Sequence, residues 1–112
     1  MIHSLTDTVA AVSTALGEGG IGIVRISGSE AFPTADRVLN RPVSGEPTHT
    51  IHYRRVLKDG KVLDEALVSV MKGPRTYTGE DTVEINCHGG PLVVQQILEA
   101  VLAAGALCGC PK

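Results

Sequence analysis

Polar and apolar residues alternate from Thr82 to His88. Val83, Ile85 and Cys87 fall on one side of an extended chain, and Thr82, Glu84, Asn86 and His88 fall on the other. This period of two predicts a strand with one core face and one polar face. The polar turn Thr78-Gly79-Glu80-Asp81 leads into it, and Gly89-Gly90-Pro91 follows it. Two glycines permit a sharp turn, and proline suits a first helical position, where its missing N–H would be unpaired anyway. Val94, Ile97, Leu98 and Val101 then recur at the spacing of a buried helical stripe, with Gly105 as its stop. Glu84 and His88 should therefore face outward beside a helix N-terminus, whose free N–H groups suit an anionic or carbonyl-rich ligand.

The remaining pattern supplies the supporting elements. Thr8–Ala15 is a run of small and β-branched residues without helical spacing and predicts a strand. Ile21–Ser27 is apolar on both faces, as in a central strand, apart from Arg25. A guanidinium there needs a carboxylate, carbonyl groups or an anionic ligand, so an internal ion pair and a ligand contact both remain open. Ser29 can cap a helix running to Leu39, with Phe32, Ala35 and Leu39 on one stripe and Pro33 in the first turn. Asn40–Pro47 is turn-rich. His49–Leu57 and Val62–Met71 read as strands joined through Asp59-Gly60, a strong hairpin dipeptide, with the sheet largely covered at the second strand. Arg75, Tyr77, Glu80 and Asp81 concentrate in the loop 72–81. Strands, a helix, a hairpin, a further strand and a second helix imply a single α+β (mixed α/β) domain, with a mixed, partly antiparallel sheet and two main helices.

Composition narrows the chemistry. At 112 residues and 43% hydrophobic content, one domain can bury a real core. A net charge of −2 argues against nucleic-acid binding through bulk charge. Met1–Leu16 lacks the basic start and apolar run of a signal peptide, and no long apolar stretch is free of polar residues, so a cytoplasmic protein with no membrane segment is expected. The three cysteines Cys87, Cys108 and Cys110 read as reduced thiols, since Cys108-Gly109-Cys110 lacks the usual zinc spacing. His49 and His52 lie three apart on a predicted strand and so face opposite ways.

No GxxxxGK[ST] run is present, and Gly17-Glu18-Gly19-Gly20 precedes a strand rather than following one, unlike a dinucleotide fingerprint. Cys87 and His88 are strand neighbours that point apart, which argues against a catalytic dyad. What remains is recognition. Glu84 can accept paired hydrogen bonds from an amidine-like ring edge, and Arg25 can hold a carbonyl or carboxylate.

Two long stretches, DTVAAVSTALGEGGIGIVRISG and YTGEDTVEINCHGGPLVVQQILEAVLAAGA, resemble the N-terminal domain of the TrmE (MnmE) family of tRNA modification GTPases. The resemblance runs from about Asp7 to Ala106. It implies a domain that binds a tetrahydrofolate such as 5-formyl-tetrahydrofolate and mediates homodimerisation, similar in fold to the folate domain of the glycine-cleavage aminomethyltransferase. The parent enzymes use the folate one-carbon unit, with a flavin-dependent partner protein, to modify carbon 5 of the wobble uridine in tRNA. They also take GTP, magnesium and potassium, which this chain is not expected to bind. The family's folate contacts fall here on Arg25 and Glu84, with Gly19, Gly20, Tyr77, Thr78 and Gly79 as weaker lining residues. Glu18 stands where many members carry a basic residue and receives no ligand role. After Ala106 the chain departs from the family pattern, so residues 1–112 are expected to be a truncated or altered N-terminal domain. The helical and GTPase domains, the C-terminal cysteine motif and a lysine of the folate site would then be missing, and Lys112 does not align with that lysine. A dimerisation scaffold with an incomplete folate pocket is the alternative implied.

Overall fold

The computed structural model describes residues 7–13, 22–76 and 79–109. Its elements are β1 (Val9–Val12), β2 (Gly22–Ser27), α1 (Ala31–Asp36), β3 (Thr50–Lys58), β4 (Lys61–Met71), β5 (Thr82–Cys87), α2 (Pro91–Ala103) and β6 (Leu107–Cys108). Among the described residues the strands form one sheet in the order β3-β4-β5-β2-β1-β6. Each neighbouring pair is antiparallel except β1 and β6, which run parallel. The α+β expectation holds, and the Ile21–Ser27 stretch forms an interior strand, although Ile21 itself lies outside the described residues.

The period-two pattern sorts the sheet into two faces. Val24, Ile85 and Val68 form one cross-strand row and Ile26, Val83 and Val70 the next, and all six are fully buried. These rows pack under Phe32 and Ala35 of α1 and under Val94, Ile97, Leu98 and Val101 of α2, the stripe expected from the helical spacing. Burying a side chain of this size contributes about 1.5–3 kcal/mol, so this layer dominates the stability of the domain. The opposite sheet face carries Arg25, Glu84, Ser69, Asn86, Leu67 and Tyr53, and among the described residues no helix lies over it. The expectation of a largely covered sheet at β4 is therefore corrected: Ala66, Val68 and Val70 are buried, whereas Leu67 is 44% exposed.

Turn chemistry closes the elements. Asp59 and Gly60 take φ of 52° and 78° between the paired Lys58 and Lys61, the left-handed pair that a two-residue hairpin of this twist requires. Helix α2 starts at Pro91. It ends with the Gly105 N–H bonded to the Leu102 carbonyl and the Ala106 N–H bonded to the Val101 carbonyl.

Other boundaries differ from the sequence expectation. Helix α1 is shorter than Ser29–Leu39, and its N-cap is Glu30 rather than Ser29. The Asp36 carboxylate accepts the Val43 N–H at 2.7 Å and the Ser44 hydroxyl, while Leu39 joins a bridge to Val56, so the chain leaves the helix to cover the edge of β3. Strand β1 stops at Val12. His49, expected at the head of a strand, is instead a turn residue with φ of 62°. The short β6 was not expected. Leu107 and Gly109 donate their N–H groups to the Thr8 and Ala10 carbonyls at 2.9 and 2.8 Å, a pairing too short to leave a periodic pattern.

Candidate functional site on the open sheet face

Arg25 and Glu84 lie 59 positions apart in sequence and are direct cross-strand partners of β2 and β5. The Arg25 Nε and Nη2 groups donate to the same Glu84 oxygen, Oε2, at 2.7 and 2.5 Å. Of the two readings open for Arg25, the structure supplies the internal carboxylate. The pair is not sealed, since the side chains are 42% and 20% exposed. Among the described residues Glu84 Oε1 accepts no hydrogen bond, so the carboxylate is oriented through one oxygen and presents the other.

The surrounding face is polar in its middle and graded at its ends. Ser69 sits opposite Glu84 on β4, and the Asn86 side-chain amide donates to the Leu67 carbonyl at 2.8 Å. In the row toward the loop 72–81, Ser27 and Thr82 are buried, with the Thr82 hydroxyl donating to the Glu80 carbonyl at 3.3 Å. At the other end, Tyr53, Asp64, Glu65, Ala66, Leu67 and His88 line an open cleft of about 410 Å³. Hydrogen bonding to Glu65 raises the Tyr53 phenol above its ordinary range, so it stays a neutral donor.

His88 and the helix start are arranged differently from expectation. The Asp64 carboxylate accepts the His88 and Gly89 N–H groups at 2.7 and 3.2 Å, and His88 Nδ1–H donates to the Glu65 carbonyl at 3.3 Å. The turn ahead of α2 is thus held by a protein carboxylate, and His88 turns toward β4 rather than joining Glu84. Cys87 is buried in the core, where desolvation pushes its thiol up to about 12, while His88 is exposed, so the two form no dyad. Among the described residues no three His, Cys, Asp or Glu side chains converge as metal ligands. Gly79 is an exposed turn residue with φ of 81°. Gly19, Gly20, Tyr77 and Thr78 lie outside the described residues.

Sequence reasoning missed Arg54, which is 5% exposed on the core face of β3. Its guanidinium donates to the carbonyls of Arg41, Pro42 and Tyr53 and to Glu46 Oε2, at 2.9–3.1 Å, and so binds the segment 41–46 to the strand. The detectable signal was its period-two phase with buried Val56. All three guanidinium nitrogens donate inside the protein, which marks a structural arginine.

A family model described as GTP-binding protein TrmE N-terminus matches residues 8–110, past the Ala106 at which the family pattern was expected to stop. The chain belongs to this family. It is 50% identical over 107 residues to the tRNA modification GTPase MnmE of Carboxydothermus hydrogenoformans, covering 90% of this chain and 23% of that protein. The protein of the same name from Geobacillus kaustophilus is 52% identical over 107 residues, covering 89% of this chain and 23% of its own length. That from Streptococcus mutans is 46% identical over 112 residues, covering 99% of this chain and 25% of its own. The chain therefore spans about a quarter of the length of these relatives. Among the described residues no helix is long and apolar enough to cross a membrane.

Proposed function

We propose that this chain is the folate-binding and self-associating domain of a cytoplasmic tRNA modification GTPase, and that it takes a 5-formyl-tetrahydrofolate-type ligand on the open sheet face. The observation carrying this reading is the Arg25–Glu84 pair, in which one carboxylate oxygen is clamped and the other accepts no hydrogen bond among the described residues. A carboxylate so presented can accept hydrogen bonds from the N–H edge of a pterin ring, and Arg25 sets its direction. The residues present fit such a ligand: an oriented acceptor on a partly shielded face, with neighbouring Ser69 and Asn86 able to add polar contacts. When bound, the folate would supply a one-carbon unit. The chain's own residues would bind and orient it.

In the longer protein this unit would serve carbon-5 modification of the wobble uridine in tRNA, together with a flavin-dependent partner protein. GTP, magnesium and potassium would be handled by other parts of that protein, since these 112 residues contain no GxxxxGK[ST] loop. Self-association has separate support in Ile51, Tyr53 and Leu67, which are 64%, 54% and 44% exposed on one side of the β3–β4 ribbon.

Isothermal titration with 5-formyl-tetrahydrofolate tests the folate reading. The wild-type chain is expected to bind saturably, and Glu84→Ala to weaken binding by about 1–3 kcal/mol, the usual result of leaving a buried polar group unpaired. Equal affinity in the variant, or no binding by a folded wild-type chain, would overturn the reading and leave a dimerisation scaffold.

A further inference from the structure

The segment 72–81 joins the ends of β4 and β5 at the loop-side margin of the open face, one same-face row from Glu84 and Ser69. Its two ends are drawn together by the Gly73 N–H on Asp81 Oδ1 at 2.9 Å, and the Thr76 hydroxyl donates to the Glu80 carbonyl at 2.7 Å. A third tie comes from outside the segment. The Lys72 N–H donates to Thr48 Oγ1 at 2.8 Å, that hydroxyl lies 2.8 Å from His49 Nδ1, and His49 Nε2 lies 2.9 Å from the Arg75 carbonyl.

Only one proton arrangement satisfies this chain throughout a neutral ring. A carbonyl oxygen only accepts, so Nε2 carries the hydrogen, and Nδ1 is then the acceptor for the Thr48 hydroxyl, whose oxygen is free to accept from Lys72. The four groups form one directed run from the backbone of residue 72 to that of residue 75. The residue choice at position 49 points the same way. His49 is exposed and so does not serve the core, and its φ of 62° favours glycine or asparagine. A histidine there sacrifices backbone ease for an imidazole that reaches across to Arg75.

We propose that His49 is a positioning residue: its ring latches residues 72–76 against the end of the sheet and holds that margin of the Arg25–Glu84 site in its binding geometry. The latch stands on the hydrogen bonds above, whereas its effect on ligand affinity rests on the folate reading already proposed.

Two substitutions separate the ring from the backbone. His49→Gly accepts the left-handed conformation freely and has no side chain, and His49→Asn tolerates it while being too short to reach the Arg75 carbonyl. Both variants are expected to keep the wild-type melting temperature within a few degrees. Trypsin should cut after Arg75 about fivefold faster in both, because a lost tie raises the open population of the segment. Cleavage after Lys61, in the hairpin, should stay at the wild-type rate, and affinity for 5-formyl-tetrahydrofolate should fall about three- to tenfold. Wild-type cleavage after Arg75 in both variants would overturn the latch. Faster cleavage with unchanged folate affinity would overturn the positioning role. If the wild type binds no folate, the folate reading and the positioning role fail together, and cleavage after Arg75 alone decides the latch.

Discussion

Two arginines on the sheet show how environment assigns a role to the same side chain. Arg54 is enclosed and donates from each of its three guanidinium nitrogens to the protein, so its worth is structural. Arg25 is partly solvated and pairs with a partly solvated carboxylate, an arrangement worth no more than about 1 kcal/mol to folding. Its place in an otherwise apolar strand therefore adds little to stability, which leaves room for the proposed recognition role. Cys87 is the other residue whose state follows from burial. Its thiol is raised from 9.0 to about 12 in the folded chain, so the unfolded chain loses this proton first as pH rises. The stabilising contribution is complete below pH 9 and is lost progressively toward pH 12. Urea melts across this range should show a falling midpoint that Cys87→Ala flattens. A maleimide at pH 8 should label exposed Cys108 in the native chain and reach Cys87 only after unfolding. Rapid native labelling of Cys87 would contradict this account. Arg25 and Cys87 were both legible in the sequence, one as a charge in an apolar run and the other by its phase in an alternating strand. That Arg25 meets Glu84 was not, because alternation assigns a face but says nothing of which residues come opposite across separate strands.

At the scale of elements, local chemistry was read correctly where a short motif has only one comfortable geometry. Asp59-Gly60 is such a case, and so is the Gly-Pro start of α2. Gly60 has φ of 78° but open space around its missing Cβ, so Gly60→Ala meets backbone strain alone and should cost roughly 1 kcal/mol. At Gly28, with φ of 138°, an added Cβ would lie 2.6 Å from the Thr8 Cα, so Gly28→Ala adds a backbone clash between the residue leading into β1 and the turn after β2. Its expected cost is larger, roughly 3 kcal/mol, by analogy with overpacked sites. Chemical denaturation of the two variants should give that order, and equal losses would show that the β1 contact yields easily. The elements misjudged from sequence were those set by distant partners. Helix α1 is cut short because Asp36 and Leu39 are recruited by the segment 43–44 and by β3, and β6 exists only because β1 offers a free edge.

For the whole molecule, the two described helices lie on one face of the sheet, and the proposed recognition falls on the other. The polar Arg25–Glu84 centre and the apolar Ile51, Tyr53 and Leu67 patch share that face, so the proposed ligand binding and self-association should be separable by mutation. Leu67→Lys or Ile51→Lys should lower the self-associated fraction seen by light scattering, with the circular dichroism spectrum and folate affinity unchanged, since both side chains are exposed. A wild-type chain that stays monomeric at micromolar concentration would remove the self-association proposal.

The sequence alone determined the fold class, the helical and strand stripes, the hairpin and the family, because each is written in short-range periodicity or in long contiguous motifs. It also named Arg25 and Glu84, one as an anomaly and one by its face. Tertiary structure decided what those residues do to each other. Strand register placed Arg25 opposite Glu84, and the pair lies on the face away from the two described helices. Asp64 took the turn ahead of α2, and the turn at residue 49 was set against Lys72 and Arg75. Each of these depends on contacts between residues far apart in the chain, whose relative placement comes from packing one hydrophobic core and from no local pattern.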